Sequence, residues 1–276
     1  MADDQANEQA APADMAGKID TTVAHPARVY DYWLGGKDNF AADREAAERV
    51  LAVTPGLRER VRANRAFLAR ATRYLAAEAG IRQFLDIGTG IPAVNNTHEV
   101  AQAVAPDSRI VYVDNDPIVL VHAKALLASG PHGATQYVEG DIRDSGPILD
   151  AASATLDFSQ PIGLMLLGIL HLIQDSEEPY RVVADLVDGL PSGSYLALSH
   201  PASDTNVLAQ AEAQRRYNQR VSTPQTLRTR EQVHRFFDGL ELVPPGVVYV
   251  HTWHPDPGDP VPADGHSAHG GVGRKP

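Results

Sequence analysis

Cysteine is absent from this chain of 276 residues, which excludes disulfides, thiolate metal sites and cysteine nucleophiles outright. Long hydrophobic runs are missing too: none approaches the roughly 18 apolar residues of a membrane span, so no membrane partner is expected. The first residues are acidic and alanine-rich and lack the charged-then-apolar order of a secretory signal, which makes the cytoplasm the default location. Positive charge is scarce beside negative, 24 Lys and Arg against 35 Asp and Glu, for a formal net charge of −11. That balance leaves no basic footprint for a nucleic acid held through its phosphates. Arg58, Arg60, Arg62, Arg65, Arg70 and Arg73 do cluster, but arginines on a helix read first as a solvated face.

What the chain does contain is an apolar strand that breaks into a glycine turn, Phe84-Leu85-Asp86-Ile87-Gly88-Thr89-Gly90. Glycine takes positive φ and has no Cβ, so a nucleoside can lie against bare backbone there. The turn continues Ile91-Pro92-Ala93, and the resulting GxGxxA is by itself a weak signal. Two further apolar runs that end in acids support it. Arg109-Ile110-Val111-Tyr112-Val113-Asp114 follows roughly 30 residues later, one βαβ repeat, and Tyr137-Val138-Glu139-Gly140-Asp141-Ile142 about as far again. A side chain at the carboxyl end of a parallel strand faces the crevice in which open α/β sheets bind ligands.

Each carboxylate has a chemical use. Asp114 is placed to accept both hydroxyls of a ribose, because an ionised carboxylate offers acceptors only. Asp141, with the backbone of Ile142, suits an exocyclic adenine amine, and Asp86 suits a cationic amino group. An adenosine carrying a charged amino acid meets all three demands better than a dinucleotide does, which points to S-adenosylmethionine. The segments DIGTG, YVDNDP and EGDIRD resemble the motifs of class I methyltransferases. The run Ala27-Arg28-Val29-Tyr30-Asp31-Tyr32-Trp33-Leu34-Gly35-Gly36-Lys37-Asp38-Asn39-Phe40 with Ala42-Asp43-Arg44-Glu45 looks like the opening signature of one family. Asn64-Arg65-Ala66-Phe67-Leu68 and Val248-Tyr249-Val250-His251-Thr252-Trp253 extend the likeness, which spans Pro26 to Trp253. The family resembled is the actinobacterial S-adenosylmethionine-dependent methyltransferases of unknown acceptor. The resemblance implies S-adenosylmethionine as cofactor; it is silent as to the reaction and supplies no catalytic residue to carry over, and in-line methyl transfer is the mechanism expected.

The fold expected is α/β: a Rossmann-like, seven-stranded, mainly parallel sheet with a C-terminal antiparallel hairpin and an N-terminal helical cap. Residues 1–20 and 255–276 have little to bury and read as disordered tails; 21–80 form the cap and 81–254 the methyltransferase domain. Pro26 to Leu34 reads as a short helix stopped by Gly35-Gly36. Thr54-Pro55 opens a long helix to about Ala79, with an apolar stripe of Leu57, Val61, Asn64, Leu68, Ala71 and Leu75. Beyond Gly80 strands and helices alternate. The strands expected are Gln83 to Ile87, Ile110 to Asp114, Gln136 to Glu139, Ile162 to Leu167, Tyr195 to Ser199, Leu240 to Val243 and Val247 to His251. Pro244-Pro245-Gly246 between the last two is short enough only for an antiparallel hairpin.

Gly88, Thr89, Gly90 and Asn115 join the three carboxylates as cofactor contacts. Tyr30, Lys37 and Asn39 are expected to enclose the methionine end, the turn from Gly35 to Asn39 acting as a lid, although Tyr30, Tyr32 and Trp33 also suit a core. Asn64, polar on an apolar stripe, either ties down a loop or faces the pocket. His171 follows the fourth strand where a methyl acceptor would approach and is a candidate general base, with His200 behind it. His266 and His269 lie in the expected tail, and no metal site is read from them. A small-molecule acceptor is expected, its pocket built from the cap and from Asp204 to Arg230. The helical run Asp204 to Gln219 suits a cover or a dimer contact, and monomer and homodimer both stay open. Two rivals remain: a nicotinamide oxidoreductase, against which Pro92 removes an N–H that a pyrophosphate would need, and a non-catalytic binder of S-adenosylmethionine.

Overall fold

The computed structural model describes residues 20–116, 118–119, 132–203, 214, 218 and 223–276. The expected tail over 1–20, all but its last residue, and most of the segment Asp204 to Arg230 lie outside the described residues. Five parallel strands form the centre of the sheet: β1 (Gln83–Ile87), β2 (Arg109–Asp114), β3 (Ala134–Glu139), β4 (Gly163–Leu167) and β5 (Tyr195–His200). Their order is β3-β2-β1-β4-β5, so the chain changes direction across the sheet between β1 and β4. A crevice opens at the carboxyl ends of the strands where such a reversal occurs.

All of β1 is buried, as a parallel strand covered on both faces should be. Leu85 and Ile87 join Val111, Leu164 and Leu198 on one side, under the helices α5 (Ser145–Ala152), α6 (Pro179–Asp188) and α7 (Arg230–His234). Phe84 joins Ile110, Met165 and Ala197 on the other, under α3 (Leu57–Ala77) and α4 (Thr97–Val104). The cap proper is α1 (Pro26–Leu34) and α2 (Ala41–Val53), packed on the first turns of α3 through Val29, Trp33, Ala47 and Val61. Helix α3 therefore serves both bodies, because its stripe continues through Phe67, Ala71 and Leu75 onto the sheet. It starts later than Thr54-Pro55 would suggest: Leu57 N–H closes a turn onto Thr54 O at 3.3 Å and Gly56 has φ +77°. Helix α1 ends at Gly35, φ +90°, as read.

The C-terminal part corrects two expectations. Residues past Asp256 are not a tail: β8 (His269–Arg274) lies inside the sheet, antiparallel to β5 on one edge. The pieces β6 (Glu241–Leu242) and β7 (Val248–Tyr249) do not pair with each other as a hairpin but lie in succession along the other edge of β8. Among the described residues the sheet thus has eight strands, with the antiparallel part at the C-terminus. The first piece, β6, continues to Val243, whose N–H donates to Val272 O at 2.8 Å; Pro244-Pro245 have no N–H to give the ladder, and pairing resumes at Val248.

The arginines of α3 are a solvated face only in part: Arg62 and Arg73 are exposed, while the others are drawn into contacts. Arg60, Arg70 and Arg73 pair with Asp264, Asp259 and Asp256, and Arg58 lies 5.1 Å from the centre of the Tyr32 ring. Arg70 also donates to Trp253 O at 2.8 Å and is 3% exposed. Aspartates in the Pro- and Gly-rich approach to β8 are the partners that composition alone does not reveal.

Candidate functional site

The glycine turn after β1 requires its glycines. Gly88 has φ +74°, and a Cβ there would stand 2.6 Å from the side chain of Ile169; Gly90 has φ +65°. Gly88 N–H donates to Val113 O at 2.8 Å, which fixes the turn against the end of β2. Asp114, 6% exposed, accepts from Gly90 N–H at 2.9 Å and from Asp116 N–H at 3.0 Å, one on each oxygen. Burial raises its pKa, while the two N–H donors act the other way. Two lone-pair positions remain for a ligand.

A narrow cleft opens beside this turn. Gly88, Asp114, Asn115, Asp141 and Ile142 all line it, as the sequence led one to expect, facing apolar walls of Ile169, Leu172 and Ile173. Asp141 is held by Arg143, whose Nη1 lies 3.0 and 3.1 Å from its two oxygens and whose Nε donates to Glu177 at 2.6 Å. His25 and Pro26 close the cleft from the cap side. His25 Nδ1 is 2.8 Å from Asp116, which links the cap to the loop after β2. His25, Asp116 and Arg143 were not singled out from sequence; their partners lie on other elements, and only Arg143 had a local cue, its position two residues after Asp141.

Asp86 and Thr89 lie on the other side of the turn, in a small recess with Arg65, Thr97, Tyr112 and Tyr137. Thr97 Oγ1 donates to Asp86 at 2.6 Å and Thr89 Oγ1 lies 3.2 Å from the Tyr137 hydroxyl. Burial raises the Asp86 pKa to about 6, against the pull of Thr97 and of Arg65. Between about pH 4 and 6 the folded protein therefore keeps a proton that the unfolded chain has released, and that stability is lost as pH rises through 6. Asp86→Asn, which can still accept from Thr97, is expected to melt above the parent at pH 7.5, by up to about 3 kcal/mol at 1.36 kcal/mol per unit. The gain should vanish by pH 4, and a variant less stable at pH 7.5 would contradict it.

His171 sits on the 3-10 turn Leu170–Leu172 after β4, half-buried, its Nδ1 enclosed and without a hydrogen-bond partner among the described residues. Burial, and then the charge of Arg228, lower its pKa to about 4. His200 ends β5 with its ring 6.2 Å from that of His171 and is fully buried. Arg228 Nη1, which can only donate, is 2.9 Å from His200 Nε2, so His200 carries its proton on Nδ1, facing Pro201 O at 2.9 Å. Arg228, 1% exposed, also donates to Leu170 O, Ile173 O and Asp175. It thereby fixes the turn that carries His171 and supplies the apolar wall of the cleft. Nothing local in the sequence marks Arg228, because its partners lie more than fifty positions upstream or on another strand.

Asn64 ties elements together and is not among the residues that line the cleft or the recess. Its amide donates to Tyr30 Oη at 3.2 Å and accepts from Ser199 Oγ at 2.6 Å, tying α1 to the end of β5. It also abuts Gly168, where a Cβ would stand 3.4 Å from Asn64 Nδ2. Lys37 and Asn39 are not brought to the cleft. Lys37 is exposed, and Asn39 donates to Asp31 at 2.8 Å and to Gly36 O at 3.1 Å. The turn from Gly35 to Asn39 is explained by packing, since any Cβ on Gly36 would collide with the Asp31 carboxylate that organises it. His266 and His269 pack around Tyr249, and the described residues hold no group of three or more His, Cys, Asp or Glu suited to a metal.

The chain matches a family model described as S-adenosyl methyltransferase over residues 12–276. A DUF574 family protein from Streptomyces avermitilis is 48% identical, with a TM-score of 0.89 over 93% of this chain and 99% of that one. A Thermobifida fusca protein bearing a methyltransferase name is 45% identical, with a TM-score of 0.84 over 93% and 96%. A S-adenosylmethionine-dependent methyltransferase of Anabaena variabilis, 14% identical with a TM-score of 0.51 over 94% and 98%, shares the fold. No curated protein matches the chain.

Proposed function

The chain belongs to the S-adenosyl methyltransferase family, and from that membership we propose that it methylates a small molecule, with S-adenosylmethionine seated across the glycine turn and the acceptor approaching beside His171. The observation that carries the placement is that Gly88, Asp114, Asp141 and Ile142, drawn from three strand ends, line one cleft. The residues fit the cofactor chemically. Gly88 leaves bare backbone, Asp114 has acceptors to spare for a pair of hydroxyls, and Ile142 with Ile169, Leu172 and Ile173 offers apolar faces to a purine. Asp141, oriented by Arg143, accepts from the exocyclic amine.

S-adenosylmethionine supplies a methyl group on a sulfonium, a leaving group that needs no acid to assist it. The protein's task is then alignment, plus removal of a proton where the acceptor carries one. His171 suits that task. Its pKa near 4 keeps the imidazole neutral at ordinary pH, and its Nδ1 has no partner among the described residues. Family membership weighs against a nicotinamide enzyme, and an acceptor-side base without a partner weighs against a purely binding role.

Incubation with methyl-labelled S-adenosylmethionine and fractionated cell extract tests the acceptor class. Label in the low-mass fraction supports the reading, and label in protein or nucleic acid overturns it. Once an acceptor is known, His171→Ala is expected to lower kcat by about 10²–10⁴-fold while cofactor binding is kept. The parent rate should be flat from pH 9 to 6 and decline only as pH falls toward 4, where the imidazole takes its proton. An unchanged kcat in the variant would leave alignment as the whole of the catalysis.

A further inference from the structure

At the opposite edge of the sheet from the cofactor cleft, the amino ends of β1, β2, β4 and β5 meet the last residue of β8 around a trough of about 520 Å³. That is within the roughly 300–1,000 Å³ of small-molecule sites, and the cofactor and acceptor placements leave it unused. One wall is formed by Ala79, Ile81, Pro161 and Tyr195. The charged groups are Arg82, Arg109 and Arg274 against Asp107 and Asp157, a local excess of positive charge in a chain of net charge −11. Arg274 is paired with Glu241 at 3.1 Å, and Asp157 is engaged by the N–H and hydroxyl of Ser159 at 2.9 and 2.7 Å. Arg82 and Arg109, by contrast, are fixed by neutral groups. Arg82 Nη1 donates to Ala76 O at 2.8 Å and Ile81 O at 3.0 Å at the end of α3, and Arg109 Nη1 donates to Thr155 O at 3.1 Å beyond α5. Arg109 N–H meets Arg82 O at 2.8 Å, so the two stems start side by side and are anchored on opposite faces of the sheet. A carbonyl orients a guanidinium without cancelling its charge, and Nη2 of each donates to no group among the described residues. Asp107 stands 3.8 Å from Arg82 Nε, beyond hydrogen-bond reach, and both are exposed.

We propose that this trough is a second ligand site, for a small organic anion whose acid group lies between Arg82 and Arg109 and whose apolar body lies along Ile81, Pro161 and Tyr195. A guanidinium matches carboxylate and phosphate oxygens alike, so the two acids share the chemistry and the test separates them. Asp107 is the competitor that the ligand displaces from Arg82. The trough touches β1 at Gln83, its first residue, whereas the glycine turn follows its last, so each ligand leaves the other's place open.

The test is titration of the isotope-labelled full chain with phenyl phosphate, benzoate and benzyl alcohol, read by the amide NMR signals of Gly80 and Gly193, which line the trough. At least one of the two acids is expected to shift them saturably, with a Kd on the order of 1 mM or below, and the neutral alcohol to bind at least about fivefold more weakly. Whichever acid binds more tightly identifies the group the site takes. Arg82→Gln and Arg109→Gln should each weaken that acid by about two- to fivefold and together by about tenfold, the scale of exposed charge pairs. Asp107→Asn, a change at an exposed side chain, should tighten it by about twofold. The response should persist in excess S-adenosylhomocysteine. No saturable shift with either acid, or equal binding of benzyl alcohol, overturns the proposal. So does an acid response that survives the double substitution, or one confined to cleft residues such as Gly88.

Discussion

Asp114→Ala is expected to weaken S-adenosylhomocysteine binding by about 10²–10⁴-fold while leaving a folded protein. Two ribose hydroxyls donating to one ionised carboxylate are worth about 1.5–3 kcal/mol each, and every 1.4 kcal/mol is a factor of ten. The same carboxylate accepts from Gly90 and Asp116, so its loss also loosens the turn on which the nucleoside would lie. Asparagine is no gentler replacement: each carboxylate oxygen meets a backbone N–H, and an amide would turn its own NH₂ toward one of them. Stability should suffer less than binding, because burial already raises the Asp114 pKa and the charge costs the cofactor-free protein something to hold. Calorimetry checks the first half and thermal melting the second. Binding within threefold of the parent would show that the ribose is held elsewhere and would remove the main support for the cleft placement.

The parts of this site that were legible in the sequence are those whose geometry is local. A strand, a turn and an acid at the next strand end stand in fixed relation along the chain, so Asp86, Gly88, Asp114 and Asp141 could be located from periodicity and glycine spacing alone. The five parallel strands were legible for the same reason, since a strand covered on both faces leaves an unbroken apolar run. Arg228 was not. Its role is defined by Leu170, Ile173, Asp175 and His200, which reach it only when the sheet is assembled, and a single arginine in a polar stretch carries no mark of being 1% exposed. Lys37 and Asn39 misled in the opposite sense. A polar, glycine-containing turn suggests a lid, yet it is the collision any Cβ on Gly36 would have with Asp31 that requires that sequence. The arginine stripe of α3 hid its purpose because the partner aspartates are more than 180 positions away.

The largest error of reading, the supposed C-terminal tail, leads to the largest stability effect. His269-Gly270-Gly271-Val272-Gly273-Arg274 is rich in glycine and reads as loop, yet it occupies an inner position of the sheet. Crowding explains the composition: a Cβ at Gly270 would lie 2.8 Å from both Leu198 O and Val250 Cγ1, and one at Gly273 2.9 Å from the Phe237 ring. Val272, by contrast, is fully buried beside Ala197 and Trp253. Truncation after Ala268 would strip β5 of its neighbour and leave β6 and β7 with nothing to pair with. At about 1 kcal/mol for each lost ladder hydrogen bond and about 2 kcal/mol for Val272, the loss is comparable with the 5–15 kcal/mol that holds a typical domain together. The truncated chain is therefore expected to be insoluble or to melt without cooperativity. Gly270→Ala tests the same point more gently, because the obstacle on one side is backbone and cannot swing away. It should lower stability by about 1–3 kcal/mol at unchanged length, visible as a depressed melting temperature. The register places His269 opposite His200, so both changes should also disturb the wall behind His171, and the Gly270→Ala protein should lose kcat before it loses cofactor affinity. A truncated chain that melts like the parent would mean that β5 tolerates an open edge and that the last strand is dispensable.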